Sequence, residues 1–410
     1  ANATMQGFRS DDVLINGYPL FHVAGVLPGS LCSLAVGMET IIPTAALFRN
    51  RDVIRNYWKL VARHRSTLIS GVPTALAALA AVPLDGADIS SARSVRTGAA
   101  PLPPELAARF ERDFGLSVRE SLGMTETAGL PAAAAVGMTE TAGLSTVTPP
   151  GGEAPAGCVG WALPYARFRV VALDTEGAPT DREQPTGQPG MVLYRAPNLF
   201  SGYLDPAETA KAFTADGWLI TGDLGFRDAQ GRLNLSGRAK DLIIRGGHNI
   251  DPKVIEDALG AHPAVHLCAA VGAPDAYAGE LPVAYATLLP GATATEAELL
   301  AFTAERVDEA PARPRSITLL DHMPVTNVGK IYKPELRTLA TGAVVQALVD
   351  QVGEALAMPS GARPAVVAAG DAPVQVWLDA ERQGPALAAL ESALLPLIDA
   401  LPVKVLVQRA

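Results

Sequence analysis

The sequence predicts an α/β protein, in which a large domain built on a parallel sheet is followed by a β-rich part and a small α+β domain. Three observations support this prediction. Strand-like apolar runs alternate with helix-like segments up to about residue 123, which is typical of a parallel sheet. From about residue 150 short apolar runs lie between Gly/Pro turns, and helices and strands alternate again after residue 251.

The elements of the parallel sheet follow in chain order. DVLINGY (12–18) and LISGVP (68–73) have the character of buried strands that enter turns, and residues 51–64 have that of an amphipathic helix. SARSVRTGAAPLPPEL (91–106) combines a strand, a Gly/Ala turn and a helix that begins at proline. LSVRESLG (116–123) is a further strand, so the order strand, helix, strand repeats.

The later elements define two smaller parts. PKVIEDALGAH (252–262) is helix-like, VHLCAAVGAP (265–274) and PVAYATLLPG (282–291) are strand-like, and a helix follows near 295–309. The tail combines the helix-like VVQALVDQVGEALA, the strands PAVVAA and VQVWLD, a second helix and the strand VKVLVQ. The predicted domains are residues 1–239, 240–337 and 338–410.

Composition limits the function classes. The formal net charge of −9 argues against a nucleic-acid-binding surface. The three cysteines, Cys32, Cys158 and Cys268, have no metal-ligand spacing and are expected to be reduced thiols in a cytoplasmic protein. No apolar run approaches the length of a membrane span, so we expect no stable membrane insertion. The oligomeric state is not indicated.

Seven short motifs occur along the chain. They are, in order, PLFHVAG, TGAAPL, GMTET, GWLITGD, GRAKDLI, GGHNIDP and PVTNVGK. Each has an ordinary explanation by itself, such as an Asp turn for TGD or a solvated lysine for GK. As an ordered set, they resemble the adenylate-forming (AMP-binding) superfamily over residues 1–337, and acyl-CoA synthetases in particular. The tail more weakly resembles extensions of some bacterial acyl-CoA synthetases.

The resemblance implies an activity in two steps. A fatty or aryl carboxylic acid reacts with ATP to give an acyl-adenylate, and the CoA thiol then displaces AMP. ATP, Mg²⁺ and CoA are the implied cofactors and substrates. Both steps build negative charge on phosphate oxygens, which fixed cations and hydrogen-bond donors stabilise. The implied fold has a large N-terminal domain and a small, mobile C-terminal domain.

The resemblance also implies residues of the nucleotide site. Thr125 would donate to the α-phosphate, and Glu126 would bind Mg²⁺, which prefers carboxylate and phosphate oxygens. Asp223 and Arg238 would contact the ribose. The segment expected to lie against adenine contains small residues and the start of the GMTET motif: Gly98, Ala99, Ala100, Pro101, Leu122, Gly123 and Met124. Leu122 stands where the family commonly has an aromatic residue that stacks on the base.

Further positions match the remaining parts of the family's site. Lys330 matches the catalytic lysine that bridges the carboxylate and the phosphate, and Lys240 matches the hinge between the domains. Gly247 matches a residue that borders the CoA tunnel. His22 is expected to line the acyl pocket. No acidic residue occurs between Pro19 and Gly25, so an uncharged acyl or aryl acid is favoured over an amino acid.

The octet GMTETAGL occurs twice, at 123–130 and 137–144. Only one copy can occupy one site, so Thr139 and Glu140 are alternatives to the residues of the first copy. The first copy follows the convincing strand LSVRESLG, whereas the second follows PAAAAV, a poor strand and a fair helix. We therefore expect the first copy in the site and the excess residues in a surface loop.

One family motif is missing. The Gly/Ser/Thr-rich phosphate loop that precedes PLFHVAG in the family has no counterpart in residues 1–18. We therefore expect a fragment that lacks an N-terminal part and forms the adenylate inefficiently by itself. Two alternatives remain open. One is a non-catalytic remnant; the other is a domain that loads a carrier protein, although the tail has no carrier-like Asp-Ser-Leu site.

Overall fold

The computed structural model contains two compact units. The first comprises Ala1–Lys240 and Thr326–Lys330, and the second comprises Asp241–Val325 and Ile331–Ala410. The structure describes residues 7–20, 23–98, 104–116, 118–123, 136–138, 143–144, 146–147, 158–162, 165–174, 177–197, 199–327 and 329–409.

The first unit begins with a parallel sheet. Its strands are β1 (Val13–Ile15), β2 (Glu39–Ile41), β3 (Leu68–Gly71), β4 (Ser94–Gly98), β5 (Val118–Gly123), β6 (Val136–Met138) and β7 (Gly143–Leu144). Their spatial order is β2-β1-β3-β4-β5-β6-β7. The pairs from β2 to β6 are parallel, and β7 runs antiparallel to β6.

Short helices connect these strands. They are α1 (Val23–Val26), α2 (Cys32–Val36), α3 (Arg51–Arg55), α4 (Tyr57–His64), α5 (Pro73–Ala80) and α6 (Pro104–Phe114). A π-helical segment, Leu27–Leu31, joins α1 to α2. The helix predicted over 51–64 is divided at Asn56, whose backbone leaves helical geometry at φ −105° and ψ 12°. The Asn56 side chain donates to the Asp52 carbonyl at 2.9 Å, a local bond that competes with the helix.

Aromatic side chains fill the core on one face of the parallel sheet. Trp58 is 1% exposed, and its ring lies 4.6 Å from that of Phe114 and 6.5 Å from that of Phe110. The Trp58 indole N–H donates to the Val82 carbonyl at 3.0 Å, so its polar atom is satisfied inside the core.

A second sheet in the first unit corresponds to the predicted β-rich part. It contains β8 (Thr146–Val147), β9 (Cys158–Ala162), β10 (Arg167–Leu173), β11 (Pro179–Glu183), β12 (Gly190–Arg195), β13 (Leu219–Arg227) and β14 (Leu233–Arg238). The spatial order is β11-β10-β12-β13-β14-β9-β8, and neighbouring strands are antiparallel. Helix α7 (Pro206–Ala212) lies between β12 and β13 in the chain.

The second unit contains a five-stranded sheet and a three-stranded sheet. The former comprises β15 (Ile243–Arg245), β16 (His248–Ile250), β17 (Val265–Asp275), β18 (Gly279–Leu288) and β19 (Ile317–Leu319), and the latter β20 (Ala365–Val367), β21 (Gln375–Leu378) and β22 (Leu406–Arg409). The helices are α8 (Pro252–Gly260), α9 (Glu296–Ala304), α10 (Lys333–Ala355), α11 (Ala380–Gln383) and α12 (Leu387–Asp399). Among the described residues, 3₁₀ turns occur at Leu47–Arg49, Ala239–Asp241, Ala310–Ala312, Ser360–Ala362 and Gly384–Ala386.

Helix α10 is shared between the cores of the two sheets of the second unit. Leu336 and Ala340, in its first turns, pack with residues of β17 and β18. Val345, Val349 and Val352, further along, pack in the core of the three-stranded sheet. The helix starts well before the predicted VVQALVDQVGEALA, because the residues from Lys333 onwards have their own apolar face to bury.

The predicted α/β class is confirmed, with a parallel sheet, a β-rich sheet and a C-terminal α+β part. Within the described ranges, none of the helices combines the length and the apolar character needed to cross a membrane.

One buried ion pair holds the start of β1 to the loop before β4. The Asp12 side chain is 2% exposed and accepts hydrogen bonds from Arg93 Nε at 2.8 Å, Thr67 Oγ1 at 2.7 Å and the Arg9 N–H at 2.9 Å. Burial by itself raises the pKa of the Asp12 carboxyl. The hydrogen bonds from Arg93, Thr67 and Arg9 outweigh this effect and hold the pKa below its ordinary value of 3.8.

We expect Asp12→Asn to lower the free energy of unfolding by about 2 kcal/mol at pH 7, because Arg93 and Thr67 lose their charged acceptor. Since the folded-state pKa is lowered, this stabilisation is present above about pH 4 and disappears as the pH falls through the folded-state pKa. Urea unfolding followed by circular dichroism, at several pH values, measures both effects. Asp11→Asn, at the exposed neighbouring position, is the control; equal losses in the two variants would contradict the assignment.

Candidate active site

Strand β13 carries Asp223 in a position fixed by main-chain hydrogen bonds. Asp223 is 3% exposed, and its N–H donates to Thr221 Oγ1 at 3.0 Å. The Thr221 hydroxyl in turn donates to the Val192 carbonyl of β12 at 2.7 Å. Gly222, between them, has φ +74°, a conformation that favours glycine. The TGD sequence therefore fixes the main chain that carries a buried carboxylate.

Arg238 lies opposite Asp223 on the adjacent strand. The two residues are register partners in the antiparallel pair of β13 and β14. Arg238 Nε lies 3.4 Å from Asp223 Oδ1, and the side chains are 19% and 5% exposed. A buried carboxylate beside a guanidinium presents acceptors and donors together, which is the requirement for binding a pair of vicinal hydroxyls.

A β-bulge next to this pair depends on a glycine. The register of β13 and β14 shifts between Leu224 and Gly225. A Cβ atom at Gly225 would lie 2.4 Å from the Asn234 carbonyl oxygen, far inside contact distance. Only glycine allows the strands to approach this closely at the bulge.

Lys330 ends a tight turn that belongs to the first unit. The Thr326 N–H donates to the Lys330 carbonyl at 2.7 Å, and the Lys330 N–H donates to Thr326 Oγ1 at 3.1 Å. Gly329 has φ +81°, and its carbonyl accepts a hydrogen bond from the Thr74 hydroxyl, just beyond β3. Lys330 itself is 9% exposed. The structure therefore places Lys330, Asp223 and Arg238 in one compact unit.

Two hydroxyl groups of this turn were not singled out from the sequence. Thr326, within the turn, and Thr74, in helix α5, each hydrogen-bond to the backbone next to or at Lys330. The spacing of Thr326 four residues before Lys330 is the only sequence signal, because a threonine there can bond the backbone of a following turn. Thr74 is distant in the chain and has no such signal.

Only part of the predicted adenine segment is described. Gly98 ends β4 and pairs with Ser121 of β5, and Leu122 and Gly123 end β5. These residues reach the carboxyl edge of the parallel sheet, where ligands of open α/β sheets bind. Several predicted site residues lie outside the described residues: His22, Ala99, Ala100, Pro101, Met124, Thr125, Glu126, Thr139 and Glu140. Their assigned roles stay predictions.

The two copies of the octet begin side by side. Leu122 pairs with Val136 and Gly123 pairs with Gly137 in the parallel pair of β5 and β6. The first glycine of each copy therefore stands at the same level of the sheet. The alanine-rich sequence did not indicate a strand at Val136–Met138. Each copy thus begins within a strand of the parallel sheet, which weakens the reason for preferring the first.

The predicted hinge and tunnel residues lie near the start of the second unit. The boundary between the units falls directly after Lys240. Gly247 has φ +84° in the turn between β15 and β16, and no atom lies within 4 Å of a Cβ built there. The neighbouring Gly246 N–H donates to the Ala278 carbonyl at 2.7 Å. The backbone of this turn is therefore uncrowded, and the tunnel role of Gly247 stays a prediction.

The GGHNIDP motif also fixes the start of helix α8. Asp251 is the N-cap residue, and its Oδ1 accepts from the Lys253 N–H at 2.9 Å. Burial raises the pKa of Asp251 to about 6, against the lowering effect of the bond from Lys253.

The ion pair of Asp241 with Arg337, at 2.7 Å, ties the residue after Lys240 to α10. The described residues contain no cluster of three or more His, Cys, Asp or Glu side chains suited to a metal ion.

Comparison with protein families gives two matches. The model of the AMP-binding enzyme matches residues 1–204, and that of the AMP-binding enzyme C-terminal domain matches residues 254–330. Together they include Asp12, Gly98 and Lys330 and cover more than half of the chain.

Curated proteins and solved structures agree with this match. Marinolic acid–CoA ligase of Pseudoalteromonas sp. is 39% identical over 338 residues, which are 82% of this chain and 49% of the ligase. Sulfoacetate–CoA ligase of Cupriavidus necator is 34% identical over 79% of this chain and 58% of its own length. This chain thus spans about half to three fifths of these two relatives.

Among solved structures, ATP-bound MatB from Rhodopseudomonas palustris has a TM-score of 0.68 at 31% identity, covering 83% of this chain and 62% of MatB. The anthranilate CoA ligase AuaEII in complex with anthranoyl-AMP has a TM-score of 0.71 at 26% identity, covering 84% and 62%. With the ordered motifs and the two domain matches, these similarities show that the chain belongs to the AMP-binding, adenylate-forming enzyme superfamily.

Proposed function

We propose that the enzyme is an AMP-forming acyl-CoA synthetase that activates a carboxylic acid with ATP and transfers the acyl group to CoA. The observation that carries the proposal is the Asp223–Arg238 pair, held across β13 and β14 in the same compact unit as the buried Lys330. The relatives named as CoA ligases support the thioester step.

In this proposal Asp223 and Arg238 bind the ribose of ATP and AMP. The carboxylate accepts hydrogen bonds from the ribose hydroxyls, and the guanidinium contributes donors and balances the buried negative charge. Because the Asp223 main chain is fixed through Thr221, the carboxylate needs little reorganisation when the nucleotide binds. Gly98 and Gly123 let the adenine lie against the backbone, with Ala99, Ala100, Pro101, Leu122 and Met124 completing the segment.

Lys330 is proposed to act in the first step. Its ammonium would lie between the substrate carboxylate and the α-phosphate, where negative charge accumulates during attack. Thr125 would donate to the same phosphate. Mg²⁺ would supply further charge neutralisation, with Glu126, or alternatively Glu140, as its carboxylate ligand. Rotation about Lys240 would then exchange Lys330 for the CoA passage beside Gly247.

The relatives do not single out the acid. Their names specify two different acids, marinolic acid and sulfoacetate. The proposed substrates are a small-molecule carboxylic acid, ATP and CoA. The proposed location of the enzyme is the cytoplasm, and no nucleic-acid partner is proposed.

Asp223→Asn should weaken AMP binding by about 10- to 100-fold, because a charged acceptor for the ribose hydroxyls is lost. Isothermal titration with AMP and with 2′,3′-dideoxy-AMP separates this effect from general damage. The unsubstituted chain should prefer AMP, and the variant should bind both nucleotides equally weakly.

Asp181→Asn, on the exposed strand β11, is the matched control and should keep the preference for AMP. If Asp223→Asn also kept that preference while melting at the normal temperature, Asp223 would not contact the ribose.

Adenylate formation by this chain is expected to be slow, so it is measured at high protein concentration over long times. Lys330→Ala should slow it by a further factor of about 100 to 1,000, because the cation at the developing charge is lost. Thioester formation from a supplied acyl-adenylate and CoA should change by less than about threefold, since Lys330 acts before that step. ATP–pyrophosphate exchange measures the first step and CoA-thioester release the second.

Lys59→Ala, at an exposed position of α4, serves as the control and should change neither rate. Equal losses of both half-reactions in Lys330→Ala would contradict its assignment to the first step alone.

A further inference from the structure

Two buried polar side chains stand side by side on the parallel sheet. β1 and β3 are parallel, with Ile15 paired to Ile69. Continuing this register by one residue places Asn16 beside Ser70. Both then project from the face opposite to Ile15 and Ile69, because side chains alternate along a strand. Asn16 is 0% exposed and Ser70 is 5% exposed.

Each of these side chains has a polar atom that pairs with none of the described residues. Among the described residues, neither Asn16 Nδ2 nor Ser70 Oγ makes a hydrogen bond. Buried polar atoms are nearly always paired, because an unpaired one loses its hydration without compensation. Two such atoms on neighbouring strands therefore require an explanation.

The Asn16 amide is held in place by its other contacts. Its Oδ1 accepts from the Tyr18 N–H at 2.9 Å, and its own main-chain N–H donates to the Ile41 carbonyl at 2.9 Å. A Cβ at Gly29, in the π-helical segment, would lie 2.6 Å from Asn16 Nδ2, so the amide packs against bare backbone. The Nδ2 donor is consequently fixed before any ligand arrives, as a specificity group should be.

The pair lies at the end of the sheet that the proposed chemistry uses. Asn16 directly follows β1, and Ser70 is the penultimate residue of β3, so both are at the carboxyl edge of the parallel strands. Just beyond Ser70, Val72 and Thr74 contact Gly329 of the Lys330 turn: a Cβ at Gly329 would lie 3.0 Å from Val72 Cγ2. The end of β3 thus carries the Ser70 hydroxyl and leads into the residues that contact the turn of the proposed catalytic lysine.

The chemistry of the two groups defines their ligand. The Asn16 Nδ2 only donates, and the Ser70 hydroxyl can donate as well, so the partner must be an acceptor oxygen. Arg96, which is 4% exposed, is the register partner of Ser70 on β4, and its guanidinium lies on the Phe8 ring, 4.8 Å from the centroid. A hydroxyl or carbonyl oxygen on the acyl chain fits this environment, whereas a plain alkyl chain would leave both donors unpaired.

We propose that Asn16 and Ser70 form a specificity-determining pair that selects an acid with a hydroxyl or carbonyl oxygen on its chain over the corresponding alkyl acid. The inference rests on the proposed acyl-CoA synthetase function. It explains why a buried hydroxyl and a buried amide are kept without protein partners.

Binding of acyl-adenylate mimics tests the pair without a need for turnover. The probes are 5′-O-(N-acylsulfamoyl)adenosines that carry an alkanoyl chain, or the same chain with one hydroxyl or keto group moved along it. At least one oxygenated probe should bind about tenfold or more tightly than the alkyl parent, because buried polar groups reject a ligand that cannot pair them. Isothermal titration gives the affinities.

Two variants should remove this preference. Ser70→Ala deletes one unpaired hydroxyl, and Asn16→Asp keeps the acceptor for the Tyr18 N–H while replacing the donor. Ser94→Ala is the matched control, because Ser94 is also 5% exposed and on the same face, but its hydroxyl already accepts from Arg96 Nε at 3.4 Å. AMP should bind equally to all four proteins.

The outcomes separate the pair from the proposed function. If AMP and the alkyl probe bind but no oxygenated probe binds more tightly, the pair does not select substrates and the synthetase proposal stands. If Ser94→Ala also lost the preference for an oxygenated probe, the proposed role of Asn16 and Ser70 would be wrong. If AMP does not bind, both proposals fall. Thermal melting gives a second check: Ser70→Ala should melt at or above the normal temperature, and a clear decrease would show a structural role instead.

Discussion

Parallel pairing in the first sheet is the constraint on which the rest of the molecule depends. Parallel strands all end at one edge, so residues that are far apart in the chain arrive at the same place. Asn16, Ser70, Gly98 and Gly123 reach this edge from four different strands. The loops beyond it are free to carry chemistry because the strands, and the aromatic core around Trp58, already hold the fold.

Burial of charge is the second theme of the structure. Asp12, Asp223 and Arg96 are all nearly inaccessible to water, and an isolated charge in such a place would destabilise the fold strongly. Asp12 is neutralised by Arg93 far from the proposed site and stabilises the sheet. Asp223 faces Arg238 where the nucleotide is proposed to bind. The same type of ion pair thus stabilises the sheet in one place and is proposed to bind the nucleotide in another.

The sequence predicts the local elements well and the nonlocal relations only where motifs supply them. The strands before Gly98 and Gly123 and the TGD segment with Asp223 have strong periodicity or turn signals. Strand β6 has neither, because its sequence Val-Gly-Met is too short for an alternating pattern and contains a glycine, which is uncommon in strands. The Gly225 bulge could not be predicted, because it depends on atomic distances between separate strands, which no pattern of residue types encodes. The same holds for the lack of hydrogen bonds at Asn16 Nδ2 and Ser70 Oγ among the described residues.

The single helix α10 has a mechanical consequence for the second unit. Its 23 residues form a rod of about 35 Å, and its two halves are embedded in the cores of two different sheets. A rod anchored at both ends transmits torque, so the three-stranded sheet cannot swivel against the five-stranded sheet without breaking helical hydrogen bonds. A force applied to strands β20–β22 would therefore also move β17 and β18, because α10 connects the two sheets rigidly.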